Sequence, residues 1–524
     1  MTSLSAYSLV GSNRGNNESV LRDTRAARVS EWPTLAETRD IYGPIPKRLH
    51  VTIPDRFPAV LGATAMGAYL LLVVGATTSL ADAATACTGW PACGDGYALP
   101  TERAGWIALG HRVLAAVVGV SIAASALLAW RGNVTRRVRA ALAFALLLYP
   151  VQIGLGALVA VGGTSTLLAA PVSLSVVHLT FGVAIFGGVL AALAWWLEAA
   201  TGDEDDAPAD FDPGTDDLPP VEETPSPAVP TATGPRLKAT ASAYFRLMKP
   251  RLMWLLCLVA AAAMALAGGV GFTPYTVAAT LVGGALAIGA SGTFNHVLER
   301  DVDKRMQRTN DRPLATDLVP VSHALAFGGL LTAVSLGLFW TVNALTAFLG
   351  LVAILFYSVV YTLVLKPNTV QNTVLGGAAG ALPALIGWAA VTETIGGGGL
   401  LLAAVIFLWT PAHFYNLALA YKDDYERGGF PMMPVVHGET ATRRHIVWYL
   451  GATLVAAAVL ALVAEPLGGL YAAVAVALGA VFLWAVIRLH YERTEAAAFR
   501  AFHASNAYLG LLLFAVVIDA LVVV

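Results

Sequence analysis

The chain has 524 residues, of which 57% are hydrophobic and only 13% are charged, and its formal net charge is −2. Its mean hydropathy of +0.68 comes from repeated apolar segments near the roughly twenty residues that cross a bilayer as a helix. These segments are rich in Ala, Leu, Val and Gly and lack the alternation typical of outer-membrane barrel strands. Composition therefore excludes a soluble protein and predicts an all-α polytopic membrane protein of the cell membrane, with no nucleic-acid partner.

Residues 1–50 are polar and contain no apolar core of a signal peptide, so they are predicted to stay in the cytoplasm and are assigned no fold. Four apolar segments follow, near 58–80, 106–130, 140–162 and 171–197. The connection at 131–139 carries four arginines, and the excess of basic residues in cytoplasmic loops places it inside. Residues 51–200 are therefore expected to form a four-helix bundle with both ends inside and the loop at 87–93 outside.

Two histidines lie within this four-helix bundle. His111 opens one helix, in GHRVLAAVVGV, and His178 lies near the start of another, in SVVHLTFGVAIFGG. The alternation of spans places both in the outer half of the bilayer, where paired imidazoles from two helices can ligate haem iron. The alternative is that they are two unrelated polar residues, although a histidine in a membrane span is costly unless it is partnered.

An acidic stretch follows the four-helix bundle. Residues 203–223, DEDDAPADFDPGTDDLPPVEE, contain ten acids and no base, within a Pro-, Thr- and Ser-rich segment. Such a composition cannot bury a core. Residues 201–238 are therefore predicted to be a disordered linker between two membrane units.

Nine further apolar segments form a second unit over residues 239–524. They lie near 252–270, 274–294, 321–341, 345–364, 372–392, 398–420, 444–464, 467–489 and 499–521. Counting spans from a cytoplasmic linker places the connections at 295–320, 365–371, 421–443 and 490–498 inside, and these hold most of the basic residues of this half. Charge bias and span counting thus agree on four plus nine helices.

Residues 295–314, NHVLERDVDKRMQRTNDRPL, concentrate charges of both signs between two apolar runs. If the preceding helix continues into them, Asn295, Glu299 and Asp303 fall at i, i+4 and i+8 on one helical face. Two carboxylates and an amide oxygen at this spacing suit Mg²⁺, which leaves room for phosphate oxygens in its coordination shell. Arg308 and Arg312 follow closely, and guanidinium groups pair with phosphate. The stretch therefore predicts a site for a metal and a diphosphate.

A second charged cluster, PAHFYNLALAYKDDYERGGFPMMP, has a similar pattern. His413, Asn416 and Asp424 share one helical face, and Lys422 and Asp423 stand beside the last of them. Two acid-bearing helix ends on the same side of the membrane are expected to hold one metal-diphosphate between them. The alternative is that both are ordinary solvated loops with the usual basic bias, but the matched faces favour a site.

Three motifs resemble the aspartate-rich motifs of the UbiA superfamily of intramembrane prenyltransferases, and specifically its protohaem IX farnesyltransferase (haem O synthase) branch. They are NHVLERDVDKRMQRTNDRPL, YTLVLKPNTVQNTVLGGAAGALPALIGW and WTPAHFYNLALAYKDDYERGGFPMMPVV, and the resemblance covers roughly residues 240–524. It implies a nine-helix bundle whose cytoplasmic loops cap a cavity. It also implies a Mg²⁺-dependent enzyme that transfers a farnesyl group from farnesyl diphosphate to haem b and so makes haem O.

The resemblance implies roles for individual residues as well. Asn295, Glu299 and Asp303 would hold Mg²⁺ and diphosphate, and Asp424 with Asp423 would contribute the second half of the site. The residues expected to contact the substrates are Arg308, Arg312, Lys366 and Lys422 for the diphosphate, and His413 with Asn416 for haem. Glu299 stands where the family usually has Asp, which leaves the metal geometry open, and the adjacent acids 423–424 suit the haem branch.

The first four helices carry a second resemblance. CTGWPAC, GHR, YPVQIGLGALVAVGG and VHL are similar to one half of the haem A synthase family, which is built from two such four-helix halves. This implies a bound haem between His111 and His178 and a disulfide between Cys87 and Cys93 on the oxidising side. The family's usual acid three residues before the first histidine is Ala108 here. Whether this half oxidises haem or only binds it therefore stays open, as does its pairing with a second copy or with a haem A synthase-like partner.

Two other functions are compatible with the pattern. One is prenyl transfer to a quinone precursor or a lipid headgroup, against which the PAHF and PMMP stretches argue. The other is a haem carrier or electron-transfer membrane protein with a degenerate transferase unit. Prenyl chain length does not follow from the sequence, because the depth of the cavity depends on packing.

Overall fold

A computed structural model describes residues 56–522, apart from 81–82, 84–85, 88, 94–98, 163–172, 203–205, 207–232 and 465–466. The described residues belong to one compact unit, and their regular elements are all helical. Thirteen of the helical segments among them are long and apolar enough to cross a membrane. The predicted all-α polytopic fold with four plus nine spans is confirmed. The N-terminal segment 1–50 and most of the predicted linker lie outside the described residues.

The first four spans form a bundle in which consecutive helices pack against each other. They are α1 (Phe57–Leu80), α2 (Arg103–Arg131), α3 (Arg136–Gly162) and α4 (Leu174–Thr201). The side chain of Ser173 accepts a hydrogen bond from the backbone N–H of Val176 and so caps the start of α4. α1 lies against both α2 and α4, and α3 lies against both α2 and α4, so the four helices form a closed bundle.

The remaining spans begin after a short amphipathic helix. This helix, α5 (Thr233–Leu247), includes the last six residues of the predicted linker, so the linker ends earlier than its composition indicates. The spans and the short helices between them are α6 (Pro250–Ala267), α7 (Pro274–Leu298), α8 (Arg300–Asp303), α9 (Val321–Val342), α10 (Ala344–Leu355), a π-helix (Phe356–Leu365), α11 (Lys366–Asn368), α12 (Asn372–Thr392), α13 (Gly397–Ala420), α14 (Lys422–Arg427), α15 (Met433–Val436), α16 (Gly438–Val463), α17 (Gly469–Glu492) and α18 (Glu495–Val522).

Both acidic motifs lie where a long helix breaks into a short one. α7 ends at Leu298, Glu299 leaves the helical conformation with φ −98° and ψ 7°, and α8 resumes for one turn. The hydrogen bonds from Glu299 N to Asn295 O (2.9 Å) and from Asp303 N to Glu299 O (2.8 Å) keep the four-residue spacing across the break. The expectation of a continuous helix was wrong at Glu299, but the face shared by the three residues is retained. α13 and α14 are separated in the same way at Tyr421.

The span after α9 contains ten residues of π-helix, FYSVVYTLVL. Thr362 donates its hydroxyl to the carbonyl of Tyr357, five residues earlier, at 2.8 Å. The wider turn brings Tyr357, Thr362 and Lys366 toward α7, where each contacts a residue of the first acidic motif or a neighbour of it. Insertions of this kind are frequent at functional sites.

The four-helix bundle packs directly on the nine-span bundle, with α1 and α4 against α16 and α17. Trp195 and Trp448 make an edge-to-face contact with centroids 5.9 Å apart. Glu198 forms an ion pair with Arg444 at the end of the same contact. One hydrophobic core, which includes residues of α1 to α4 and of α16 to α18, runs through both bundles.

Candidate functional site

The two carboxylates of the first acidic motif are buried and ion-paired. Glu299 is 6% exposed and Asp303 is 2% exposed. Arg312 donates from one terminal nitrogen to both carboxylate oxygens of Asp303 at 2.8 Å and lies 3.9 Å from Glu299. Lys366 donates to the Glu299 carboxylate at 2.5 Å. The structure thus brings together four residues that the sequence placed in the site, two acids and two cations.

Asn295 ties this cluster to residues that the sequence did not point to. Its amide oxygen accepts from Lys249 Nζ, and its amide nitrogen donates to Thr362 Oγ1 at 3.0 Å. Lys249 also donates to the hydroxyl of Tyr357 at 3.2 Å. We call Lys249, Asn295, Glu299, Asp303, Arg312 and Lys366 the acid-cation cluster.

The sequence next to Lys249 does indicate where this residue lies. It directly precedes Pro250, the first residue of α6, and therefore lies where a membrane span begins. Its backbone has φ 55°, which is uncommon for a residue other than Gly, Asn or Asp. The surrounding packing holds its ammonium group inside the cluster. No comparable signal marks Tyr357, which lies within an apolar run.

The pKa values of the cluster follow from burial and from its mixed charges. Burial, together with the positive charges of Arg312 and Lys366, lowers the pKa of Lys249 to about 7. Burial opposes ionisation of Glu299, but Lys366 and Lys249 outweigh it and hold the pKa of that carboxyl below its ordinary value. For Asp303, burial prevails over Arg312 and raises the pKa of the carboxyl.

An apolar cavity extends from this cluster into the nine-span bundle. Lys249 and Tyr357 lie at one end, and Phe339 lines it with residues of α6, α7 and α12. Its lining on α7 runs from Gly292 to Thr280, which corresponds to about 18 Å of helix. Its volume is about 80 Å³, and we call this narrow space the apolar tunnel. Its cluster end adjoins Asn295, one turn beyond Gly292.

The second acidic motif contacts the first through backbone groups. The Asp424 carboxylate accepts from the backbone N–H of Gln307 at 2.7 Å and from that of Arg308 at 3.3 Å, and Arg427 donates to it at 2.9 Å. Asp424 is buried and Asp423 is exposed. Asp424 therefore holds the loop that follows α8 in place, and that loop carries Arg312 to Asp303.

A polar cavity of about 640 Å³ lies beside Asp424. Its cationic side chains are Arg308, Lys422, Arg427, Arg443 and Arg493, and we call it the arginine cavity. Asp423 and Asp424 line it, whereas Glu299 and Asp303 do not. The two acidic loops are thus neighbours, as expected, but their acids face different spaces instead of enclosing one. In the described part of the chain, no three His, Cys, Asp or Glu side chains are grouped as metal ligands.

His413 and Asn416 lie deep in the bundle. The His413 ring is stacked between Trp409 and Phe502, with centroids 4.2 and 4.3 Å away, and its Nδ1 lies 2.6 Å from Ser505 Oγ. Asn416 donates to the carbonyl of Ala412 at 2.6 Å, and its amide oxygen is buried without a hydrogen-bond partner. Ring stacking and the contact with Ser505 together account for the orientation of His413.

His111 and His178 line one cavity of about 650 Å³ in the four-helix bundle. The Nδ1 atom of each ring is buried and has no hydrogen-bond partner, which is unusual for a buried polar atom. Gly75 and Gly156 face the two rings closely: an added Cβ would lie 3.3 Å from Cε1 of His111 and 3.0 Å from Cε1 of His178. The structure therefore places both imidazoles in one mainly apolar space.

The loop over this cavity is held by a disulfide and an arginine. Cys87 and Cys93 are joined in a disulfide. Arg112, next to His111, donates to the carbonyls of Gly89, Pro91 and Ala92 at 2.8 to 3.1 Å. These contacts fix the loop, whose Trp90 and Pro91 line the cavity.

The model of the UbiA prenyltransferase family matches residues 255–512. The chain is 62% identical over 465 residues to the protein named "Protoheme IX farnesyltransferase" of Haloarcula marismortui, covering 89% of this chain and 98% of that protein. It is 62% identical over 469 residues to "Protoheme IX farnesyltransferase 1" of Natronomonas pharaonis, covering 89% and 99%. A solved UbiA homolog from Archaeoglobus fulgidus, bound to GPP and Mg²⁺, is similar to 52% of this chain and 99% of its own, with 18% identity and a TM-score of 0.42.

Proposed function

We propose that this chain, which belongs to the protohaem IX farnesyltransferase family, transfers a farnesyl group from farnesyl diphosphate to haem b and so makes haem O in the membrane. The relatives that are 62% identical over nearly their whole length carry that name, and the family suggested by the three sequence motifs is confirmed. Within the structure, the proposal depends on one observation: the acid-cation cluster lies at the end of an apolar tunnel.

The donor set of the cluster fits Mg²⁺ with a diphosphate. Mg²⁺ is usually held by one or two carboxylates and by substrate phosphates, and not by a cage of protein ligands. Glu299 and Asp303 would supply the carboxylates, with Asn295 beside them, while Lys249, Lys366 and Arg312 would pair with phosphate oxygens. Asp424 would act mainly by holding the loop that carries Arg312, whereas Asp423 and Lys422 line the arginine cavity and do not contact the cluster. Bound Mg²⁺ would neutralise the charge of the departing diphosphate.

The chain's own residues would do the rest of the chemistry by binding and by excluding water. The farnesyl chain would enter the apolar tunnel, whose walls would have to move apart from the present volume of about 80 Å³, and its diphosphate end would reach Lys249. As the carbon–oxygen bond breaks, the electron pair leaves with the diphosphate, and Lys249, Lys366 and Arg312 stabilise it. A haem vinyl group then forms a carbon–carbon bond to the allylic carbon. Water adds to the resulting cation and loses a proton, which gives the hydroxyethylfarnesyl substituent.

We also propose an orientation for the chain in the membrane, with the acid-cation cluster on the cytoplasmic side. Loops rich in Lys and Arg belong in the cytoplasm, and both acidic motifs lie in such connections. Lys366 lies near the end of a candidate span on the same side, because it contacts Glu299. The acid-cation cluster and the arginine cavity would then be cytoplasmic, and the Cys87–Cys93 disulfide would lie on the opposite, oxidising side.

We propose further that the four-helix bundle binds haem between His111 and His178. Two imidazoles in one apolar cavity, each with a buried nitrogen that lacks a partner, are supporting observations. Ala108 lines the same cavity and offers no acid there. Fusion of this bundle to the transferase would raise the effective concentration of a scarce, insoluble ligand.

Transfer is tested directly with membranes that contain the chain. Supplied with farnesyl diphosphate, Mg²⁺ and haem b, they are expected to yield a haem with longer retention on reversed-phase chromatography. Its mass should exceed that of haem b by one farnesyl group and the elements of hydroxide. If haem b gives no product while a quinone precursor is prenylated, the acceptor assignment is wrong and the prenyltransferase assignment stands.

A further inference from the structure

The arginine cavity contains three guanidinium groups with unused donors. The Nε atoms of Arg308, Arg427 and Arg443 are buried and have no hydrogen-bond partner. Buried donors of this kind are rare unless a ligand or water satisfies them. Guanidinium groups match the geometry of carboxylates and phosphates, so the cavity is suited to an anionic group.

Arg443 is the most deeply buried of these cations, with 2% of its surface exposed. Its terminal nitrogens donate to Glu439 at 3.2 Å and to the hydroxyl of Thr440 at 3.0 Å. Those contacts fix the guanidinium plane and leave Nε unpartnered. A charged side chain that is held rigidly and incompletely satisfied inside a cavity indicates a binding role.

Four acids line the cavity beside its five cations: Asp423, Asp424, Glu439 and Glu495. Asp423 and Glu495 are exposed to solvent, and the two others are engaged by neighbouring groups. Asp424 is occupied by two backbone N–H groups and Arg427. Glu439 bridges Arg443 and Lys422, the latter at 3.6 Å. Arg308 contacts the rings of Tyr421 and Tyr425 and donates to the Tyr425 hydroxyl, so it also retains charge for a ligand.

Part of the wall of the arginine cavity is apolar. Leu419, Ala420, Leu489 and Ala498 line it together with the cations. Its volume of about 640 Å³ is within the range of sites for ligands of drug or cofactor size. A larger molecule that carries carboxylates beside an apolar body therefore fits this mainly polar cavity better than a small inorganic anion does.

We infer that the arginine cavity binds the two propionate carboxylates of the haem acceptor, with Arg443 as a residue that determines acceptor specificity. The inference depends on the proposed transferase function. Farnesyl diphosphate is placed elsewhere, because its phosphates are bonded to the chain that occupies the apolar tunnel and must lie at the acid-cation cluster. The propionates and vinyl groups of haem b lie at different edges of the ring.

The arginine cavity lies close enough to the acid-cation cluster for one haem to be held between them. Asp424 lines the cavity and also binds the backbone of the loop that carries Arg312 to Asp303. The cavity and the cluster therefore adjoin the same loop. A haem whose propionates lie in the cavity can direct its other edge toward the cluster.

The experiment compares haem b with its dimethyl ester, in which both propionates are uncharged. For the unaltered chain, kcat/KM with haem b is expected to exceed that with the ester by roughly ten- to hundredfold, the range for loss of hydrogen bonds to charged groups. Arg443→Gln should lower kcat/KM for haem b to about the value for the ester and leave the KM for farnesyl diphosphate unchanged. Arg443→Lys should retain part of the discrimination.

Arg488→Gln is the matched control, because Arg488 is exposed, pairs with Glu492 and does not line the cavity. A rise in the KM for farnesyl diphosphate in Arg443→Gln would show that the cavity holds diphosphate and would overturn the inference. Equal use of haem b and ester by the unaltered chain would also overturn it, even if the variant fails to fold. Loss of transfer to both acceptors in the unaltered chain would instead refute the proposed function.

Discussion

Glu299 and Asp303 are one turn apart, yet the structure gives them different partners. Lys366 contacts Glu299, and Arg312 contacts Asp303 through both carboxylate oxygens. Burial keeps the pKa of Asp303 above its ordinary value, whereas the cations around Glu299 lower the pKa of that carboxyl. The two acids are therefore not equivalent, and each substitution has its own expected effect.

Asp303→Asn is expected to reduce transfer by about 100-fold or more, because the amide keeps the shape of the side chain but loses the charge that Mg²⁺ requires. Product formation measured by chromatography checks this, and haem absorbance of the four-helix bundle should not change. Asp301→Asn is the control, since Asp301 is exposed on the same turn of helix. Comparable rates in Asp303→Asn and the unaltered chain would remove this acid from the mechanism.

Lys366→Gln is expected to weaken farnesyl diphosphate binding, because the lysine is only 14% exposed and faces the cluster. Loss of one charge-assisted contact should raise the KM for farnesyl diphosphate by roughly tenfold. Initial rates over a range of diphosphate concentrations measure it. Lys304→Gln is the matched control, since Lys304 pairs with Asp317 instead of the cluster. A Lys366 variant with unchanged KM would place the phosphates elsewhere.

His111→Ala and His178→Ala are each expected to abolish the low-spin haem spectrum of the purified chain, because axial ligation needs both imidazoles. Absorbance spectroscopy of the reduced protein measures this. His323→Ala serves as the control, because His323 is exposed at the start of α9. An unaltered spectrum in either of the first two variants would refute ligation by that histidine.

The sequence predicts part of the cluster because helical periodicity places residues four apart on one face. Asn295, Glu299 and Asp303 keep that spacing even though the helix breaks between them. Periodicity does not point to Lys249 or Tyr357, because Lys249 directly precedes α6 and Tyr357 lies in the π-helix, 46 and 62 positions away from Asn295 in the sequence. Periodicity within one segment carries no information about which distant helix will contact it.

At the scale of helices, the existence and order of all thirteen spans follow from hydropathy, whereas several helix ends do not. α16 begins at Gly438 and α18 at Glu495, within polar sequence that apolar content alone leaves as loop. The π-helix is also invisible to hydropathy, because its ten residues are as apolar as ordinary helix. Its effect is specific: it turns Thr362 and Lys366 toward the acid-cation cluster.

The size of the apolar tunnel between the helices of the second bundle is expected to determine which length of prenyl chain the protein accepts. Phe339 is fully buried and lines the tunnel. Its ring fits between Gly283 and Gly350, where an added Cβ would lie 2.9 and 2.4 Å from ring atoms. The ring therefore has no room to move aside and limits the space available at that position.

Phe339→Ala is expected to lengthen the accepted prenyl chain, because it removes a bulky ring from the tunnel lining. The ratio of kcat/KM for geranylgeranyl diphosphate to that for farnesyl diphosphate should rise by roughly tenfold, about the value of one or two buried methylene groups. Competition between the two diphosphates, resolved by product mass, measures it. Phe348→Ala is the control, since Phe348 is 61% exposed on α10. An unchanged ratio in Phe339→Ala would place the end of the prenyl chain elsewhere.

At the scale of the whole molecule, the sequence indicates two membrane units but not how they contact each other. Small and large apolar residues cover all faces of the helices, so the face of α4 that meets α16 has no distinct composition. A contact made by Asp206, in the acidic stretch, is likewise not predictable from composition. Its carboxylate accepts the backbone N–H groups of Glu439 and Thr440 at the start of α16, a capping contact that acidic composition alone does not predict.

The close contact between α4 and α16 leads us to expect that a larger residue at Gly451 lowers stability. A Cβ on Gly451 would lie 2.0 Å from a methyl group of Leu190, which is 3% exposed. Gly451→Leu must therefore displace the buried Leu190 side chain at this contact, at a cost of about 1–3 kcal/mol. One hydrophobic core runs through both bundles, so haem absorbance and transfer activity should both be lost at a lower temperature than in the unaltered chain. Heating the purified protein in steps measures these two temperatures.

Gly337→Leu is the matched control for this effect, because no atom lies within 4 Å of the position of its Cβ and the residue is exposed on α9. It should leave both inactivation temperatures unchanged. If Gly451→Leu lowers only the temperature at which haem absorbance is lost, the four-helix bundle unfolds by itself and the shared core does not couple the two activities. A common shift would mean that haem binding and prenyl transfer depend on one cooperative structure, because the helices that carry each site are packed into the same core.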